Sequence, residues 1–275
     1  MSSPPSRRVR PPAVAGTFYP ADPEVLEATV RADLATAGAP PADRPAPHAV
    51  IAPHAGYVYS GPVAAHAYSA VASRRHEITR VVLLGPNHRV PLRTIAVPSV
   101  DAFATPLGDV PLDREACDAL LRHPAVRIDD RAHAEEHGLE VHLPFLQVVL
   151  GDGWSLVPMV VGQVEPEDVA EVLRDLWGGP ETLVVVSTDL SHYHDHLTAQ
   201  ALDAATAAAV VARRWSEVEP DRACGAHPLR GLLLEAERRD LEVGLLDLRT
   251  SGDTAGDRDR VVGYGAFSFV GASAP

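Results

Sequence analysis

Four short apolar runs constrain this chain more than any other feature. They are "HAVIA" ending at Ala52, "RVVLLG" ending at Gly85, "SLVPMVVG" ending at Gly162 and "ETLVVVS" ending at Ser187. Each is rich in Val, Ile and Leu and shows no polar alternation. A strand of that kind is buried on both faces. Helical segments lie between them. One opens at Asp22-Pro23, a capping residue followed by proline at the first helical position, and runs to about Ala37. Others are "PVAAHAYSAVAS", "REACDALLRHP", the amphipathic "EPEDVAEVLRDLW", an Ala-rich stretch over 197–212 and "GAHPLRGLLLEAERRD". Strands alternating with helices at this spacing predict an α/β fold: a largely parallel or mixed central sheet with helices on both faces. Two late strands, "LEVGLLDLRTSGD" and "RVVGYGAFSFV", are expected to add antiparallel edges. With 275 residues, no long linker and no internal repeat, one domain over residues 13–272 is the simplest organisation. The Pro-, Ser- and Arg-rich residues 1–12 are expected to be mobile.

Composition removes several functions. All 24 basic residues are arginine. Without lysine there is no Schiff-base chemistry, no phosphate-loop lysine and no kinase lysine. Such a bias is expected from a GC-rich genome and suggests a bacterium. The net charge of -13 opposes nucleic-acid binding. Two cysteines, Cys117 and Cys224, make no disulfide framework and fit a reducing cytosol. No apolar segment follows the charged N-terminus, and none approaches a membrane span. A cytoplasmic protein is expected, with no membrane partner.

Three of the apolar strands lead into a histidine: "HAVIAPH" at His54, "RVVLLGPNH" at His88 and "LVVVSTDLSH" at His192, the last also carrying Asp189. Ligands in open α/β sheets bind beyond the carboxyl ends of the strands. Parallel strands would bring all three imidazoles to one edge. The remaining "EEHGLEVH" histidines aside, other histidines have no such context and are read as surface or packing residues.

Further candidates surround this edge. "EEHGLEVH" supplies Glu136, His137, Glu140 and His142, with His137 and Glu140 able to share a helical face. Pro144 suggests a helix start, which would put these residues at the site mouth. Tyr57 and Tyr59 follow His54 and are expected to bound the pocket. Cys224, in "RACGAHP", precedes a helix, where a thiol is expected to have a lowered pKa, and His227 supports the same turn. Two imidazoles with a thiolate or carboxylate form a three-ligand metal site with open positions. No G-x-S-x-G elbow points instead to a serine hydrolase.

The stretches "RPPAVAGTFYPAD", "IAPHAGYVYSGPVAAHAY", "LLGPNHRV", "EEHGLEVHLPFLQ", "VVVSTDLSHYH" and "CGAHPLRGLL" together resemble the Memo family, in order and over nearly the whole chain. In prokaryotes that family is the Memo member of the AmmeMemoRadiSam group. The resemblance implies a single α/β domain similar to class III extradiol dioxygenases. It implies that His54, His88 and Cys224 hold a metal, with Asp189 and His192 as further pocket residues. The dioxygenases use a carboxylate where Cys224 stands, and a softer, oxidisable thiolate points away from ring cleavage itself. Iron or copper is implied, zinc being possible on donor chemistry. AMMECR-like and radical SAM proteins are implied as partners. Three readings follow. The first is a metal-dependent oxidoreductase acting on a small organic or modified substrate, with His192, oriented by Asp189, moving a proton. The second is a metal- or peptide-binding adaptor or assembly factor. The third is a metal-dependent hydrolase.

Overall fold

The computed structural model describes residues 7–39 and 45–271. The helix anticipated at Asp22 spans Pro23–Ala37, and the Asp22 carboxylate accepts from the amides of Glu24 and Val25. The four apolar runs form adjacent parallel strands. Across the main sheet the order is His192–His194, Val261–Val270, Ala49–Ala52, Thr182–Ser187, Arg80–Pro86, Ser155–Val161, Ile95–Val97 and Val126–Ile128. Glu242–Thr250 also pairs with Val261–Val270. Val261–Val270 is antiparallel to Ala49–Ala52, and Ile95–Val97 is antiparallel to Ser155–Val161. The sheet is therefore mixed around a parallel centre.

Side chains alternate between the two faces. Val50, Val81, Leu83 and Val185 join one apolar cluster with Leu26, Val63, Tyr68 and Phe145. Ile51, Val82, Leu84 and Val186 join another with Val169, Leu173, Val210 and Leu233. Helices Tyr57–Val71 and Leu143–Leu150 cover the first face, and Pro166–Leu176 and Ala226–Arg238 the second. Burial on both sides explains why these strands carry no polar alternation.

Two expectations need correction. Residues 1–6 lie outside the described residues, but 7–12 belong to the fold. Val9–Arg10 pairs in parallel with Ala102 and Phe103 in a second, three-stranded sheet, and Arg10 is buried. A paired guanidinium anchors the segment. The late strand Val261–Val270 is also no edge: it lies between Ala49–Ala52 and the strands His192–His194 and Glu242–Thr250. Its residues are almost all buried, which suits an interior position. Among the described residues, no helix is long and apolar enough to cross a membrane.

Candidate metal centre

Ala49–Ala52, Thr182–Ser187 and Arg80–Pro86 are neighbours and run in parallel. Their carboxyl ends deliver His54, the 187–192 segment and His88 to one edge. The rings of His54 and His88 have centroids 5.2 Å apart. His137 completes a triangle, 5.5 Å from His54 and 4.7 Å from His88. Cys224 arrives from a different element, the turn before helix Ala226–Arg238. Its Sγ lies 3.3 Å from His54 Nε2. Gly225 makes that approach possible. A Cβ there would lie 2.5 Å from the Ser187 carbonyl oxygen and 2.6 Å from Thr188 Cβ. Any side chain would push the Cys224 turn off the strand end.

The donor atoms of His54, His88 and Cys224 lie within 4.8 Å of one another, as do those of His88, Glu136 and His137. Hydrogen bonds decide between the two sets. Glu136 is committed to building the loop. Its Oε2 accepts from the His88 amide at 2.7 Å, and its Oε1 contacts His88 Nδ1 and the Gly138 amide, each at 2.8 Å. That holds the His88 ring by Nδ1 and leaves Nε2. His54 is held in the same way, with Nδ1 2.6 Å from Ser187 Oγ. Two imidazoles tied at Nδ1, with Nε2 left beside a thiol, have the form of metal-ligating histidines and their outer hydrogen-bond partners. Among the described residues, the buried His137 Nδ1 beside the cluster has no hydrogen-bond partner. The residues fit a metal held by His54, His88 and Cys224, with Glu136 orienting His88.

A cavity of about 710 Å³ opens above this floor. Phe18, Tyr59, Tyr193 and Tyr264 supply aromatic walls, and Asp189, His192 and Arg260 also line it. The His192–His194 strand carries a register irregularity against Val261–Val262. Inside it, Tyr193 adopts a left-handed backbone (φ 63°), uncommon outside glycine. Tyr193 faces outward, and the Arg260 guanidinium lies 5.1 Å from its ring centroid. Phe18, Ser187, Tyr193 and Arg260 were not picked out by the strand-end reasoning. Phe18 stacks obliquely on His137 at 4.7 Å. It could have been found as the aromatic in "GTFYPAD".

Several candidates have other partners or lie elsewhere. Asp189 does not orient His192: its Oδ1 accepts the His54 amide at 2.8 Å, and Oδ2 lies 4.0 Å from His54 Nε2. The carboxylate shapes the His54 loop because the strands ending at Ala52 and Ser187 are paired in register. Tyr57 points inward, donating to the Val141 carbonyl at 2.6 Å. It is the first residue of a helix that starts earlier than expected, and its ring packs on Phe145. Glu140 is fully buried against Arg10, the amides of Ala13 and Val14, and Tyr19 Oη. It shares the short helix His137–Glu140 with His137 but faces the opposite way, into the protein. His142 is also buried, between Tyr68 Oη and Ser187 Oγ. His227 lies across Cys224 in a separate cavity of about 330 Å³, with Nδ1 3.2 Å from the Val164 carbonyl.

Burial sets the electrostatics. It pushes the Cys224 thiol up to about 12, with the Asp189 carboxylate adding to the effect. The expected lowering at a helix start is overturned, because desolvation of a thiolate outweighs the helix end. Burial raises Asp189 to about 7 and lowers His192 below the usual imidazole value. His54 is driven well down by burial and then by the neighbouring His88. Burial pushes Glu136 up, but the His88 ring and the Gly138 and His88 amides together hold it below the usual carboxylate value, so it stays ionised.

These shifts predict an acid-labile fold. Burial depresses His133 and His137 to about 4 and His142 to about 3, with His54 also depressed. A ring neutral in the folded state and protonated in the unfolded chain stabilises fully above about 6.5. That contribution is lost as pH falls toward about 4. Asp189 and Asp33, raised by burial to about 7 and about 6, oppose this in the same window. The four histidines outnumber them. Urea midpoints of metal-free protein should fall steadily from pH 6.5 to 4; a flat profile would contradict these assignments.

The comparisons with known proteins agree with this architecture. A family model described as Memo-like protein matches residues 10–268. A MEMO1 family protein of Methanopyrus kandleri is 38% identical over 94% of this chain and 98% of the relative. One from Aquifex aeolicus is 38% identical over 96% of this chain and 100% of its own length. A third, from Ignicoccus hospitalis, is 37% identical over 95% and 98%. With the parallel strand ends, the cavity and the His54–His88–Cys224 cluster in place, and matches that span the whole domain, this chain belongs to the Memo family.

Proposed function

We propose that the protein is a metal-dependent oxidoreductase that acts on a small organic molecule held in the cavity above His54, His88 and Cys224. The carrying observation is the convergence of two imidazoles and one thiol at the floor of an open, aromatic-walled cavity. A closed structural site would surround its ion with protein; here one side faces space for a substrate. Iron or copper suits a set that mixes imidazole with thiolate. Bound there, the metal would supply a Lewis-acid and redox centre.

The chain's own residues handle binding and protons. Phe18, Tyr59 and Tyr264 offer flat apolar walls, and Arg260 at the rim offers a partner for an anionic group. Asp189 and His192 both line the cavity, and burial moves them in opposite directions. Near neutral pH the His192 ring is an unprotonated base, while Asp189 holds its proton part of the time. That pairing suits one group taking a proton while the other gives one. His192→Gln should lower turnover about a hundredfold or more while metal content stays unchanged. Loss of metal in that variant would make His192 a ligand.

The test is anaerobic reconstitution of protein purified without a chelating tag, using Fe(II), Cu(I) and Zn(II) in parallel. Elemental analysis and oxygen uptake with small phenols and aromatic carboxylates are then measured. One ion per chain, with oxygen-linked turnover for iron or copper and none for zinc, is expected. Oxygen-independent hydrolysis with zinc would favour a hydrolase. Stoichiometric metal with no turnover on any probe would favour a binding role.

A further inference from the structure

Ser187 ends the strand Thr182–Ser187 and is fully buried beneath the cluster. Its hydroxyl touches three groups: the Gly138 carbonyl oxygen, His54 Nδ1 at 2.6 Å and His142 Nε2 at 2.7 Å. A hydroxyl has one proton to give and two lone pairs to accept with. The Gly138 carbonyl can only accept, so the Ser187 proton goes there. Both imidazoles must then donate to Ser187 Oγ. His54 is thereby fixed as the Nδ1–H tautomer, and its Nε2 is a bare lone pair 3.3 Å from Cys224 Sγ. His142 is fixed as Nε2–H, so its Nδ1 accepts from Tyr68 Oη at 2.7 Å. Every contact along the chain Tyr68–His142–Ser187–His54 then pairs one donor with one acceptor. Reversing the Ser187 proton would leave the Gly138 carbonyl facing a lone pair beside a fully buried hydroxyl.

We propose that Ser187 is a positioning residue for the metal centre, setting the His54 tautomer so that Nε2 is presented as a ligand. This rests on the metal-centre reading above. It gives the two imidazoles different outer partners. His88 Nδ1 faces a carboxylate, Glu136, whereas His54 Nδ1 faces a neutral hydroxyl whose own proton is pinned by a backbone carbonyl. His142, which lies outside the cavity, then has a role as the second donor that fills Ser187's remaining lone pair.

The experiment is nitrogen-15 NMR of metal-free protein labelled at histidine, which reads each ring's tautomer directly, combined with Co(II) titration. In the wild type, His54 should be the Nδ1–H form and His142 the Nε2–H form. Ser187→Ala should shift His54 toward the Nε2–H form, with Cys224 or Asp189 then within reach as acceptors. It should weaken Co(II) binding about 10- to 100-fold. Tyr68→Phe should leave His54 unchanged, because the Gly138 carbonyl still takes the Ser187 proton. The inference is overturned by a wild-type His54 in the Nε2–H form, a result that needs no variant to fold. It is also overturned by a Ser187→Ala protein with unchanged tautomer and affinity, or by Tyr68→Phe moving His54 as far as Ser187→Ala does. Protein with the stated tautomers that binds no Co(II) would reject the metal-centre reading and the purpose assigned to Ser187, leaving only the hydrogen-bond polarity.

Discussion

Cys224→Ser should cut metal loading from one ion per chain to under about a tenth in parallel anaerobic reconstitutions, because a neutral hydroxyl is a poor substitute for thiolate. The fold should survive, since serine fills nearly the same space. The thiol is held up at about 12 by burial, so an incoming ion must displace its proton. Above pH 7.5, where free imidazoles are neutral, wild-type affinity should therefore rise about tenfold per pH unit. In Cys224→Ser that slope should vanish. Metal should also protect Cys224 from thiol reagents. Cys117 should resist them with or without metal, because it is fully buried, whereas Cys224 is partly exposed at the cavity floor. If Cys224 were instead a redox thiol outside the coordination set, both proteins would load equally.

Glu140→Ala should destabilise the protein by about 3–5 kcal/mol, the usual range when one partner of a buried ion pair is removed. Glu140 and Arg10 are 0% and 5% exposed and lie 2.7 Å apart. The carboxylate also accepts from the Ala13 and Val14 amides and Tyr19 Oη, so four donors lose their partner together. Arg10 further donates to the carbonyls of His133 and Glu136. The pair thus ties the N-terminal strand to the loop that carries Glu136 and His137, and metal affinity should fall with stability. The exposed pair Arg31–Glu27 is a control: Glu27→Ala should cost about 0.5 kcal/mol or less. Urea unfolding of the two variants measures the contrast. Equal losses would mean that Arg10 finds other partners or water.

What could be read from the sequence followed from what strand periodicity encodes. Unbroken Val/Ile/Leu runs specify strands buried on both faces, and parallel strands have their carboxyl ends at one edge. That was enough to bring His54, His88 and the 187–192 segment together. The capped helix at Asp22 was legible because its signal is local. Errors arose where sequence spacing leaves the side unresolved. Tyr57 and Tyr59 are two apart in one helix, and one faces the core while the other faces the cavity. His137 and Glu140 sit on one turn with opposite destinations. Asp189 precedes His192 by three residues, yet the neighbouring strand, not its own, supplies its partner. Arg10 looked like part of a mobile tail because its partner Glu140 is 130 residues away. The interior position of the antiparallel strand Val261–Val270 was unforeseen for the same reason: long-range pairing leaves no local mark.

The most direct test of the metal centre is X-ray absorption at the metal edge of the reconstituted protein, run on wild type and Cys224→Ser. The account predicts one sulfur scatterer, at about 2.3 Å if the ion is zinc, together with imidazole nitrogens at about 2.0–2.1 Å. The sulfur shell should disappear from whatever metal the variant retains. A wild-type spectrum of nitrogen and oxygen neighbours alone, at full occupancy, would contradict it.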